Sequence, residues 1–128
     1  MATVEQMYAA VHGYVAAFSA GDAEQVVALF APDATVEDPV GSDVLHGHEA
    51  IRAFYVRSMS MGAKLFLDEP IRAVADTAAF AFHVLVEGPG MIMHIDVIDL
   101  FRFNDAGKVT SMKAYWGPQN MRQTTPAG

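Results

Sequence analysis

The spacing of apolar residues changes once along this 128-residue chain, near Gly62-Ala63, and that change dictates a helical first half and a stranded second half. Val4, Met7, Val11, Tyr14 and Phe18 recur at steps of three and four, which predicts a helix over residues 3–20 that Gly21 stops. Asp22 is placed to cap a second helix running through Gln25, Val26 and Leu29 to Phe30, with Pro32 and Asp33 ending it. A short strand carrying Asp38 follows. Residues 41–47 read as loop, and residues 48–60 as a third helix with Ile51, Phe54, Tyr55 and Met59 inward. From Ala63 the period is two, predicting strands at 64–69, 71–75, 77–87, 91–104 and 108–116 with turns at 87–90 and 104–107. Helices followed by an antiparallel meander make an α+β domain, three N-terminal helices covering one face of a curved, mostly antiparallel sheet. Residues 1–128 read as one domain, with a loose polar tail over 117–128.

Composition narrows the functions open to such a fold. Hydrophobic residues make up 52% of the chain, enough to line an apolar cavity or a subunit interface. Cysteine is absent, which excludes disulfides, thiolate nucleophiles and zinc–thiolate sites. A net charge of −7 argues against a nucleic-acid partner. Neither a membrane-spanning run nor a basic-flanked leader is visible, so the expected location is the cytoplasm.

Against that apolar background a few polar side chains stand out. Alternation puts Ala34, Val36 and Asp38 on one strand face, so an inward-facing strand delivers the Asp38 carboxylate to the rim of the core. Pro39 keeps Asp38 out of the helical region, and Val40 and Gly41 offer it little solvation. A partly desolvated carboxylate on a fixed backbone suits a weak general base; a solvated strand-end turn is the structural alternative. Phe80, Phe82, Val84 and Val86 share one face of their strand. Met91, Met93, Ile95, Val97, Asp99, Phe101 and Phe103 share a face of the next, and Met112, Ala114 and Trp116 of the last. Asp99 is the one ionisable residue in those rows. Desolvation raises its pKa and makes it a neutral donor, unless a bulge turns it outward or it pairs with Arg102 or Lys113. Tyr14 lies within the first helix stripe and carries a phenol into the core, where Tyr55 or a backbone carbonyl is its partner. A base at the mouth facing two neutral donors suits proton abstraction alpha to a carbonyl, the enolate oxygen held by the donors. His46 and His48 lack a third ligand at useful spacing, so no metal site is expected. His12, His83 and His94 read as boundary or interface residues.

These residues bring a resemblance with them. Tyr14-Val15-Ala16-Ala17 with Ala20-Gly21-Asp22, Asp33-Ala34-Thr35-Val36-Glu37-Asp38-Pro39, Ile51-Arg52-Ala53-Phe54-Tyr55, Val97-Ile98-Asp99 with Phe101-Arg102-Phe103, and Gly107-Lys108-Val109 before Ser111-Met112 resemble the ketosteroid isomerases. These belong to a superfamily of cone-shaped α+β domains, and the likeness runs from the first helix to Trp116. It implies an apolar conical pocket, no cofactor, a steroid substrate and a homodimer joined through the outer sheet face, where His94, Asp96 and Arg102 lie. By the same resemblance Asp38 is the base moving a proton from C4 to C6, Tyr14 and Asp99 the donors to the C3 oxygen, and Tyr55 the support for Tyr14. What is known of the family, rather than anything in this sequence, adds a base of modestly raised pKa and an oxyanion-hole aspartic acid kept protonated. Phe30 stands where some relatives carry a further tyrosine. Phe30, Phe54, Phe82, Val84, Phe101, Met112 and Trp116, with Tyr55, are expected to line or support the pocket. Two alternatives share the fold: a polyketide cyclase or dehydratase, and a non-catalytic binder of small apolar ligands.

Overall fold

The computed structural model describes residues 1–126. Helix α1 (Val4–Ser19) starts at a capping box in which the Thr3 hydroxyl accepts from the Gln6 amide and the Gln6 side chain accepts from the Thr3 amide. It ends where Gly21 turns left-handed at φ +72°, with Gly21 N–H donating to Phe18 O and Asp22 N–H to Ala17 O. Asp22 then caps α2 (Ala23–Val27) through the Gln25 amide. This helix stops short of its expected end. Val109 N–H donates to Leu29 O, and Phe30 already pairs with Val109 in strand β1 (Phe30–Glu37). The sheet captures backbone that helical periodicity had assigned to the helix. Pro32, read as a helix terminator, lies inside β1 within a register shift between Phe30 and Thr35 that absorbs its missing N–H.

The stretch expected to be loop before the third helix contains a two-residue strand, β2 (Leu45–His46), paired antiparallel with Thr35 and Val36. Helix α3 (Gly47–Met59) then packs on β1, burying Ile51 and Tyr55. The two strands expected either side of Pro70 are one, β3 (Lys64–Val74), whose register shifts between Asp68 and Arg72. Pro70 sits in that irregularity on an edge strand, where no ladder bond needs its nitrogen. Strands β4 (Thr77–Gly88), β5 (Met91–Phe103) and β6 (Val109–Tyr115) follow in antiparallel succession. The sheet order is β2-β1-β6-β5-β4-β3, with β1 and β6 parallel.

The tail departs from expectation most. Residues 121–124, read as loose, form β7 (Met121–Thr124), which pairs with Ile92–Ile95 of β5. Arg122 donates to Asp96 at 2.9 Å and His94 meets the Thr124 hydroxyl at 2.8 Å, so the strand is fixed by side chains as well. Pro118–Asn120, also read as loose, form a 3-10 turn before it; residues 127–128 of that reading lie outside the described residues. The architecture is α+β, with helices packed on a curved open sheet. Val97, Asp99, Phe101 and Phe103 of β5 are buried while Asp96, Ile98 and Arg102 are exposed, so the two-residue alternation assigns the faces as expected. No helix among the described residues is long and apolar enough to cross a membrane.

Candidate active site

Between α1, α3 and the inner sheet face lies an apolar cavity of about 340 Å³. Its polar side chains are Tyr14, Asp38, Ser58 and Trp116, and the other lining groups are hydrocarbon or thioether. Asp38 follows directly on β1. Val40 N–H donates to Ala114 O at 2.8 Å, which ties the turn after Asp38 alongside β6 and brings the carboxylate to Trp116. The indole Nε1–H of Trp116 donates to Asp38 Oδ1 at 2.7 Å. Burial raises the Asp38 pKa, and the indole hydrogen bond opposes that rise by favouring the charged form. A poorly solvated carboxylate whose charged form is held by one donor is a candidate general base.

Tyr14 and Tyr55 meet hydroxyl to hydroxyl at 3.0 Å, both buried. Their rings lie edge-on at 5.9 Å, and Tyr14 packs edge-on against Phe101 at 5.3 Å. Burial holds both phenols well above the usual tyrosine range, so Tyr14 is a neutral O–H donor. The Tyr55 hydroxyl accepts one hydrogen bond or donates one, and in either role fixes where the Tyr14 oxygen sits.

Asp99 is 1% exposed, and neither carboxyl oxygen has a hydrogen-bond partner. Its register neighbours are Phe80 on β4 and Ala114 on β6. Arg102, a candidate partner in the sequence, pairs with Asp76 instead at 3.0 Å. An unpaired carboxylate at this depth costs several kcal/mol, so burial favours the protonated acid. Burial, then the Asp38 charge, drives its pKa well above the usual range. Asp99 and Asp38 both raise the Tyr14 pKa, which brings the three groups into one electrostatic unit.

The cavity wall includes Tyr14, Asp38, Phe54, Phe82, Val84 and Trp116 as expected, but four assignments need correction. Phe101 and Met112 are fully buried beneath the cavity, and Phe30 packs on Tyr55 and Phe101 rather than reaching the wall. Asp99 lies below the cavity surface rather than on it. For Asp99, Phe101 and Met112 the alternation identified the inward face correctly but not its depth, and Phe101 has the Tyr14 ring packed on it; Phe30 is the residue read as ending the second helix. Sequence reasoning missed Phe18, Ser58, Met61, Leu65 and Met121 in the wall. Phe18 was available from the α1 stripe, one turn beyond Tyr14. The bond from Trp116 to Asp38 was also missed; its signal was an inward indole whose N–H needs an acceptor. The histidines lie elsewhere: His83 against Asp68 at 3.0 Å, and His48 on the Phe30 carbonyl at 2.8 Å. Among the described residues no three His, Cys, Asp or Glu side chains gather as a metal site.

The model of the SnoaL-like domain family matches residues 11–112. The chain is 41% identical over 123 residues to a steroid Delta-isomerase of Nocardioides simplex, covering 95% of this chain and 98% of that protein. The epoxide hydrolase/cyclase-like enzyme SalBIII, described in pyran ring formation in the polyether salinomycin, superposes with a TM-score of 0.84 at 26% identity, over 91% of this chain and 95% of that one. The chain belongs to the SnoaL-like domain family and, within it, to the ketosteroid isomerases. It is an isomerase by kinship, and the roles of its side chains are argued next.

Proposed function

We propose that this chain isomerises a β,γ-unsaturated 3-oxosteroid to the conjugated α,β-enone through a dienolate, without a cofactor. The reacting ring enters toward Tyr14. Asp38 removes the C4 proton; the C–H electrons form C3=C4 and leave negative charge on the C3 oxygen. Tyr14 donates a hydrogen bond to that oxygen from the cavity wall, Asp99 donates the second from just behind the wall once the oxygen seats at the cavity floor, and Tyr55 positions Tyr14. Asp38 then returns its proton to C6: the C5=C6 π electrons form the new C6–H bond, the C3=C4 pair becomes C4=C5, and the C3 carbonyl re-forms. The observation that carries this reading is the partnerless carboxyl of Asp99, buried and near enough to Tyr14 for its charge to raise the phenol's pKa. A group so placed costs about 1–3 kcal/mol of unmade hydrogen bonding, and a developing oxyanion offsets that cost when Asp99 donates to it. A simple binder of apolar ligands has no use for such an acid, and the 41% identity to a steroid Delta-isomerase supplies the steroid.

We read the chain as one cytoplasmic domain working as a homodimer. Support for the dimer comes from the outer sheet face, where Ile98 and Tyr115, cross-strand partners, are 51% and 47% exposed. The test of the reaction is the rise of enone ultraviolet absorbance when 5-androstene-3,17-dione is mixed with the protein. Conversion that collapses in Asp38→Asn is the expected result. No conversion by folded wild type refutes the steroid assignment.

A further inference from the structure

Ser58 is the one polar side chain of the cavity wall that the proposed reaction leaves without a role. The Trp116 N–H is committed to Asp38, and the Tyr14 hydroxyl is engaged with Tyr55. Ser58 lies on the last turn of α3, in a cavity-facing row from Phe54 through Ser58 to Met61 beyond the helix end. Its hydroxyl donates to the Phe54 carbonyl at 2.9 Å, the bond one turn back along the helix. That commitment fixes its polarity. The hydrogen is used, and the two lone pairs that remain can only accept.

Its position along the cavity follows from helix geometry. Ser58 is three residues past Tyr55, about 4.5 Å farther along the axis toward the Met61 end. With a ligand oxygen at the tyrosine pair, Ser58 faces the rings beyond the reacting one. Phe54, Leu65, Val84 and Val97 leave the rest of that region apolar.

We infer that Ser58 is a specificity determinant that accepts a hydrogen bond from a hydroxyl on the middle rings of the steroid, so that the protein favours hydroxylated over oxo-substituted ligands there. A ligand ketone offers no hydrogen, and it faces the serine lone pairs unless the bond to Phe54 is broken. The inference rests on the steroid reading above and deepens it.

The test measures binding, so that it stands apart from turnover. Trp116 is the only tryptophan and lines the cavity, so its fluorescence reports occupancy. Four probes are titrated: 4-androstene-3,17-dione with an 11α-hydroxyl, an 11β-hydroxyl, an 11-oxo group, or no substituent at C11. The epimer that turns its hydroxyl to α3 should bind about three- to tenfold more tightly than the 11-oxo compound, the range of one neutral hydrogen bond. Ser58→Ala should erase that preference, and Ser58→Thr, which keeps the hydroxyl, should retain it. Equal affinity for all four, or a preference that survives Ser58→Ala, overturns the inference and leaves the steroid reading standing. Failure of all four to bind folded wild type overturns the steroid reading, and the inference with it.

Discussion

Replacing Trp116 with phenylalanine removes one hydrogen bond and keeps an aromatic ring in the wall, so its effect on the base can be worked out in advance. The indole N–H donates to Asp38 Oδ1 at 2.7 Å. A hydrogen bond to an ionised carboxylate contributes about 1.5–3 kcal/mol, and the same donor on the neutral acid about 0.5–1.5. The difference favouring ionisation is therefore about 1–1.5 kcal/mol, close to one pKa unit at about 1.4 kcal/mol each. Burial already raises the Asp38 pKa, and the indole restrains it. Losing the indole must move the pKa up, never down. The assay is kcat/KM for 5-androstene-3,17-dione across pH, whose acid limb reports the base in the free enzyme. Because the base acts ionised, activity falls as pH drops through its pKa. The limb of Trp116→Phe should lie about one unit higher than in wild type. An unmoved limb, or one shifted to lower pH, refutes the hydrogen bond as a control on the base.

Other perturbations test the remaining parts. Asp99→Leu should lower kcat by about 10²- to 10³-fold with little change in KM, the cost of one oxyanion donor, and steady-state kinetics reads both. Asp99 also shapes stability. Its folded pKa is raised, so above about pH 4 the native state holds a proton that the unfolded chain releases, and stability falls as pH rises toward the folded pKa. Denaturant titrations should show wild type losing about 1.4 kcal/mol per pH unit relative to Asp99→Asn over that window; parallel profiles would mean that Asp99 ionises normally. Ile98→Asp should convert a dimer to monomers in analytical ultracentrifugation, because it puts a charge at the exposed Ile98–Tyr115 pair.

Periodicity made most of this molecule legible, and its failures share one cause. The β5 alternation assigned Asp99 inward and Ile98 outward, and the α1 stripe carried Tyr14 to the core. Both signals are local, repeating every two or every three to four residues. Phe30 was misread because its state depends on Val109, nearly eighty residues away, which takes it into the sheet. Residues 121–124 look polar and featureless, yet β5 offers them an unpaired edge past the end of β6, and Asp96 and His94 hold them there. Pro70 marks a strand break in the sequence, but an edge strand absorbs it as a register shift. The candidate site was legible for a different reason: a carboxyl in an apolar row is conspicuous wherever it falls. Depth was not legible. Alternation gives the face but not the depth, so Phe101, Met112 and Asp99 were expected at a surface they lie behind, Phe101 with the Tyr14 ring packed on it.

The central claim is that the cavity is shaped for a dienolate, with Asp38 carrying the proton while Tyr14 and Asp99 hold the oxygen. The most direct measurement is the affinity of a phenolic steroid, whose ring oxygen mimics the dienolate, for wild type and for Asp38→Asn, read from the ligand's own fluorescence. In the intermediate Asp38 is protonated and neutral, and asparagine imitates that state. The account predicts that Asp38→Asn binds the phenol at least as tightly as wild type, and that adding Tyr14→Phe weakens it. Weaker binding by Asp38→Asn than by wild type would contradict the geometry proposed for this site.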